Sequence, residues 1–168
     1  PLAHNGPDTP TQLPFEPTLA RLKPWLEDRT PRKVMQHAKY DQHVFANHGI
    51  RLAGIADDTL LMAYVLEAGQ ISSGGLELGA LARRYLGMPT IPYEAICGKG
   101  ANQITFDQVA VADAAAYAAE DADITLRIAD QLRPRLAAAP GLERTYHQLE
   151  LPVAQVLFTM EQNGVLID

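Results

Sequence analysis

The chain has 168 residues, 47% of them hydrophobic and 20% charged, which is enough apolar material for one compact domain with a core of its own. A formal net charge of −6 excludes nucleic-acid binding through a broad cationic surface, so any such contact must be local. The single cysteine, Cys97, excludes an internal disulfide and fits a reducing, cytoplasmic compartment, while no apolar run approaches the roughly 20 residues of a membrane-spanning helix.

Residues 1–17 hold five of the twelve prolines and few large apolar groups, which predicts an extended connector. Leu19, Leu22, Trp25 and Leu26 follow at helical spacing, with Pro24 inside the helix as a source of a kink. Residues 33–38 read as a strand, and Asp41 as the cap of a helix that runs to Asn47 and stops at Gly49. Residues 50–56 read as a second strand, and Asp57-Asp58-Thr59 as the cap of an apolar helix over 60–67. Strand alternating with helix points to an α/β architecture.

A loop is expected over 69–75, then a helix over 76–86 closed by Gly87, then a segment punctuated by proline and glycine to Gln103. Residues 106–136 are alanine-rich and should form the longest helix, interrupted near its end by Pro134. Ala137-Ala138-Ala139-Pro140-Gly141 reads as a linker, with a domain boundary near Gly141 and a last helix over 142–163 that contains Pro152. The start at Pro1 without a methionine and the end at Asp168 soon after Gly164 suggest an internal piece of a longer protein.

Tyr117 and Asp121 lie four residues apart, hence on one helix face, and the alanines around them leave that face open. Such a face lets a carboxylate bind a divalent metal while the phenol holds a water, or it is a solvated surface on which Glu120, Asp121 and Asp123 serve solubility. Asp41 follows a strand, where open α/β sheets place ligand-binding groups, and is equally read as a helix cap. His37, His43 and His48 fit no metal-binding interval and read as structural or surface residues. Gly98-Lys99-Gly100 offers a lysine to a phosphate but lacks the rest of a P-loop.

Gln36-His37-Ala38-Lys39-Tyr40-Asp41 with Ala46-Asn47-His48-Gly49-Ile50 resembles the second motif of the 3′-5′ exonuclease domain of family A DNA polymerases. Tyr117-Ala118-Ala119-Glu120-Asp121-Ala122-Asp123 resembles its third motif, and Gly54-Ile55-Ala56-Asp57-Asp58-Thr59, Ile96-Cys97-Gly98-Lys99-Gly100 and Asn102-Gln103-Ile104-Thr105-Phe106 are similar to segments between the two. Glu150-Leu151-Pro152 and Met160-Glu161-Gln162-Asn163-Gly164-Val165 resemble the start of the polymerase domain.

The resemblance implies a ribonuclease H-like fold, here helix-rich with an incomplete sheet. It divides the chain into a partial exonuclease domain over 1–141 and the first helix of the polymerase domain over 142–168. It implies excision of single-stranded 3′ ends with two Mg²⁺ or Mn²⁺ ions. Asp121 and Asp41 would be the metal ligands and Tyr117 would orient the attacking water, while Gln36, His37, Lys39, Tyr40, Tyr93 and Lys99 occupy DNA-contacting positions. Base stacking on Tyr93 would contribute roughly 1 to 3 kcal/mol without sequence preference, its other reading being a core tyrosine.

Three departures stand out. The first motif of the family, an Asp-x-Glu pair, is absent from the 168 residues, His37 stands where an asparagine is common, and 69–75 lacks an arginine that some members carry. The isolated chain is therefore expected to be inactive, and a vestigial exonuclease-like scaffold is the alternative reading. An RNA-processing exonuclease of the same fold is opposed by the tail over 150–168. The expected partners are a single-stranded DNA 3′ end, the rest of the polymerase chain and, through an unpaired sheet edge, a second copy.

Overall fold

A computed structural model describes residues 1–6, 9–67 and 75–166. The expected loop over 69–75 lies outside these residues except for Gly75.

Helix α1 (Phe15–Glu27) is followed by strand β1 (Lys33–Met35), helix α2 (Ala38–Asn47), strand β2 (Ile55–Asp58) and helix α3 (Thr59–Glu67). The two strands pair in parallel, with Val34 opposite Asp57 and Met35 opposite Asp58, so β1, α2 and β2 form one parallel crossover unit. The first strand is shorter than the sequence suggests because the chain turns at His37, which takes a left-handed backbone with φ 57°. The second begins at Ile55 rather than Ile50. Ile50 is buried in the preceding loop, so apolarity there reports burial and not extended pairing. Gly54 sets the start of β2: its φ is 74°, and a Cβ there would meet the Pro31 carbonyl oxygen at 2.7 Å.

Asp41 does not cap α2. It lies in the first turn, and the cap comes from across the sheet: the buried Asp58 carboxylate accepts the N–H groups of His37 (3.0 Å) and Ala38 (2.8 Å). The same carboxylate accepts the Leu60 N–H at 3.0 Å at the start of its own helix, as expected for α3. The Asp58 main-chain N–H in turn donates to the Tyr146 hydroxyl at 2.9 Å.

Helix α4 (Leu78–Leu81) runs into a π-helical turn, Ala82–Leu86, and α5 (Tyr93–Cys97) is a short helix in the segment expected to be irregular. The longest described helix, α6 (Val111–Ala137), starts after a separate 3₁₀ turn at Phe106–Gln108 and passes through Pro134 instead of breaking there, with the Ala138 N–H still reaching the Pro134 carbonyl at 3.0 Å. Ile124, Ile128, Leu132 and Leu136 are four residues apart and make one buried stripe on α6. That stripe packs with Met62, Ala63 and Val65 of α3, Leu81, Ala82 and Tyr146 in the main core. A smaller core of Cys97, Val109 and Ala114 lies beneath the segment carrying α5.

Helix α7 (Pro140–Thr145), a π-helical turn (Tyr146–Glu150) and α8 (Leu151–Asn163) end the described chain. The turn accommodates Pro152, which lacks the N–H that a continuous α-helix requires. Packing does not stop at Gly141, since Tyr146 is fully buried in the main core. The proline-rich start runs past the 3₁₀ turn, where Asn5 donates its main-chain N–H to the Asp107 carbonyl and its side-chain amide to the Asp107 carboxylate, both at 2.7 Å.

Asp58→Ala leaves one buried and two part-buried N–H groups without their acceptor and is expected to lower stability by about 2 to 4 kcal/mol, whereas Tyr146→Phe should cost about 1 to 2 kcal/mol. Urea unfolding of the two variants checks this order; equal stability of Asp58→Ala and the parent chain would refute the bridging role of the carboxylate.

Candidate active site

Upstream of its buried stripe, α6 rises out of the core. Ala115, Ala116, Ala118, Ala119 and Ala122 are exposed, and Tyr117 and Asp121 sit half-buried among them. Methyl groups are too short to cover the phenol or the carboxylate, so the open face expected from the sequence is present. Tyr117 belongs to an aromatic group: its ring centroid is 5.8 Å from Phe106 and 6.3 Å from Tyr93, and Tyr93 stacks on Phe106 at 6.4 Å. Tyr93 is 42% exposed, which makes it a surface aromatic and not a core tyrosine.

Glu120 holds this arrangement together in a way the sequence did not reveal. Its carboxylate accepts the Ile91 N–H at 2.7 Å and so ties the segment before α5 to α6 one residue from Asp121. Spacing gave no sign of this, because an acidic residue on an alanine-rich helix reads as solvated. Beyond α5 the Ile104 N–H donates to the Cys97 carbonyl at 2.8 Å, closing the loop that contains Lys99. Lys99 itself is exposed and pairs with Glu94 at 3.0 Å.

Asp41 is half-buried on α2. Of the positions around it, Tyr40 is 65% exposed, and its ring lies 6.3 Å from that of His37. Gln36 is engaged inside the fold: its amide donates to the Leu76 carbonyl at 2.9 Å and its side-chain oxygen accepts the Thr59 hydroxyl. Lys39 donates to Glu161 of α8 at 2.5 Å. His43 and His48 are structural, packing on Phe158 and Phe15 at 4.8 and 5.2 Å. The structure thus gathers Tyr93, Phe106, Tyr117 and Asp121, leaves Tyr40 and Lys99 at the surface, and directs Gln36 and Lys39 into internal contacts.

Burial pushes the carboxyl groups of both Asp41 and Asp121 above the usual aspartate range. At Asp41 His37 opposes the rise and Asp58 adds to it; at Asp121 the hydrogen bond from Tyr117 opposes it and Glu120 adds to it. Burial also raises the Tyr117 phenol, with the Asp121 charge next in importance. The Tyr93 phenol is raised first by its hydrogen bond to Cys97, then by burial and by the neighbouring Cys97, Tyr40 and Asp107. Two desolvated carboxylates are hard oxygen donors of the kind Mg²⁺ and Mn²⁺ take. They do not form a complete site: among the described residues no group of three or more His, Cys, Asp and Glu side chains could hold a metal ion.

A carboxyl raised in the folded state resists ionisation there more than in the unfolded chain. Its stabilising contribution is complete below the unfolded value and is lost as pH rises through the folded one. Asp41→Asn and Asp121→Asn are therefore each expected to raise the thermal unfolding midpoint at neutral pH and to leave it unchanged near pH 3. A midpoint lowered at neutral pH by both changes would show that the carboxylates stabilise the fold instead.

Residues 3–137 match the family described as 3′-5′ exonuclease. DNA polymerase I of Pseudomonas aeruginosa is 47% identical over 170 residues, covering 100% of this chain and 18% of that protein. DNA polymerase I of Rhizobium leguminosarum is 44% identical over 157 residues, covering 94% of this chain and 15% of the relative. A solved structure described as the POL domain of Pol1 from M. smegmatis in complex with DNA primer-template and dNTP superposes with a TM-score of 0.70 at 29% identity, over 91% of this chain and 23% of that one. The chain spans less than a fifth of the length of the two curated relatives. With most of its length matched to one family, the chain belongs to the 3′-5′ exonuclease family found in DNA polymerase I proteins.

Proposed function

We propose that this chain is part of a DNA polymerase acting in replication and repair, and that its region removes mispaired nucleotides from single-stranded 3′ ends. The observation that carries this reading is the exposed Tyr93 ring grouped with Tyr117, one helical turn from the half-buried Asp121. A flat aromatic surface beside a desolvated carboxylate and phenol suits a terminal base stacked next to the phosphodiester to be cut. Sequence-independent stacking is what a proofreader needs, because any nucleotide can be misincorporated.

In this reading Asp41 and Asp121 would hold Mg²⁺ or Mn²⁺, which would supply Lewis acidity toward the phosphate and the attacking water. Tyr117 orients that water through its hydroxyl, one helical turn from Asp121. Tyr40, His37 and Lys99 contact the strand from the surface around Tyr93. Gln36 and Lys39, engaged internally, reach DNA only if they exchange partners.

The polymerase reaction is assigned to the remainder of the longer chain, with the division near Gly141, and the cytoplasm is the proposed compartment. The edge of β1 that pairs with no strand among the described residues and the exposed Val153, Val156, Leu157 and Met160 of α8 favour self-association of the isolated chain at high concentration. The presence of Asp41, Tyr117 and Asp121 favours an active domain in the longer protein over a vestigial scaffold, while the isolated chain, which lacks an Asp-x-Glu pair, is proposed to be inactive.

In the full-length protein, Asp41→Ala or Asp121→Ala is expected to abolish 3′ excision and leave nucleotide incorporation near the parent rate. Tyr117→Phe loses one hydrogen bond, costs about 0.5 to 1.5 kcal/mol and should slow excision by roughly 2- to 13-fold. Digestion of a labelled single strand, followed in parallel with primer extension, checks all three variants. Excision at the parent rate by either aspartate variant would refute the assignment, whereas digestion by the isolated chain in manganese that depends on Asp121 would refute the proposed inactivity of the isolated chain.

A further inference from the structure

Helix α8 touches α2 through a set of side chains of which the function proposed above uses Lys39 alone, and that one only after it exchanges partners. Glu161 accepts from Lys39 Nζ at 2.5 Å and from His43 Nε2 at 2.7 Å, and the Gln162 amide lies 2.7 Å from His43 Nδ1. One neutral tautomer satisfies both ring contacts, with Nε2–H donating to the carboxylate and Nδ1 accepting from the amide. The buried Gln42 amide donates to Gln155 Oε1 at 2.9 Å, and the Phe158 ring lies 4.8 Å from that of His43.

Lys39, Gln42 and His43 are three and four residues apart and share one side of α2; at 3.6 residues per turn, Asp41 falls on the opposite side. The contacts from α8 therefore fix the rotation of α2 about its own axis from behind without covering the carboxylate. The Lys39 and Glu161 side chains are 24% and 45% exposed, so an ion pair of this kind adds little to global stability. Its effect is on orientation.

We propose that Glu161 and Gln155 of α8 are positioning residues for Asp41, a latch through which the segment leading toward the rest of the polymerase sets the geometry of the exonuclease site. The inference rests on the proposed role of Asp41. It makes the excision rate depend on a helix that carries none of the residues assigned to the reaction. The outer side of α8, with Val153, Val156, Leu157 and Met160 exposed, leaves the latch open to adjustment from beyond α2.

The test uses the full-length protein with Glu161→Ala, Gln155→Ala and Glu161→Gln. The two alanine variants should lower kcat for 3′ excision by roughly 10-fold, the scale on which supporting contacts around a metal ligand act, with the incorporation rate unchanged in both and KM for a single-stranded oligonucleotide unchanged in Gln155→Ala, which leaves Lys39 paired. Hydrogen exchange should quicken in the α2 amides and stay constant in α3 and α6, and Glu161→Gln should recover part of the loss because its amide oxygen still accepts from one donor. Excision at the parent rate in both alanine variants, or faster exchange spread over α3 and α6, would overturn the latch. Asp41→Ala in the same assay separates the two levels: retained excision there sinks the site assignment, whereas lost excision there with parent-like latch variants sinks the latch alone.

Discussion

One carboxylate organises the chain around the candidate site. Asp58 is buried at the end of β2, and its two oxygens take N–H groups from the starts of two helices, α2 and α3, while its own N–H reaches the Tyr146 hydroxyl. A helix start carries several N–H groups with no partner inside the helix, and a buried start has no water to satisfy them. Placing an acid between two such starts meets both needs and defrays the burial of its charge with three hydrogen bonds. Beside it Asp57 takes the Arg133 guanidinium of α6 at 2.9 Å, so adjacent acids on β2 fix α2, α3 and α6.

The candidate site inherits its geometry from that frame. Asp41 lies in the first turn of the helix that Asp58 caps, and Asp121 lies upstream of the stripe that fastens α6 to the core. Both carboxylates are pushed up by burial, which disfavours their charged forms in the folded chain. Such a cost is typical where function and stability compete, and a cation beside the carboxylates would remove it. Glu120 contributes differently, by holding the Ile91 N–H and with it the segment that presents Tyr93.

The helices and the order of elements were legible in the sequence because periodicity and glycine stops are local signals. The alanine-rich run announces α6 but not its buried side of Ile124, Ile128, Leu132 and Leu136, and Gly87 and Gly164 mark ends at positive φ. The strand bounds were less legible: Ile50 is buried without being in a strand, and β1 stops where a partner distant in sequence captures the backbone. Capping followed the same division. Asp58 on α3 was readable from adjacent residues, but its capture of α2 from twenty residues away was not. Tyr117 and Asp121 could be paired from spacing alone, whereas Glu120 to Ile91 and Glu161 to Lys39 are tertiary contacts between residues that look solvated in sequence. The chemistry of the site came from resemblance to a family and from matching to it, since two aspartates at these positions do not by themselves indicate a nuclease.

The central claim is that Asp41 on α2 and Asp121 on α6 face one reaction centre. Its most direct test is a crystal structure of the full-length protein soaked with Mn²⁺ and a short single-stranded oligonucleotide, read by the anomalous signal of manganese. The account predicts manganese on the carboxylates of Asp41 and Asp121, with the terminal base against Tyr93. Manganese bound elsewhere, with both aspartates free of metal and the oligonucleotide away from Tyr93, would contradict it.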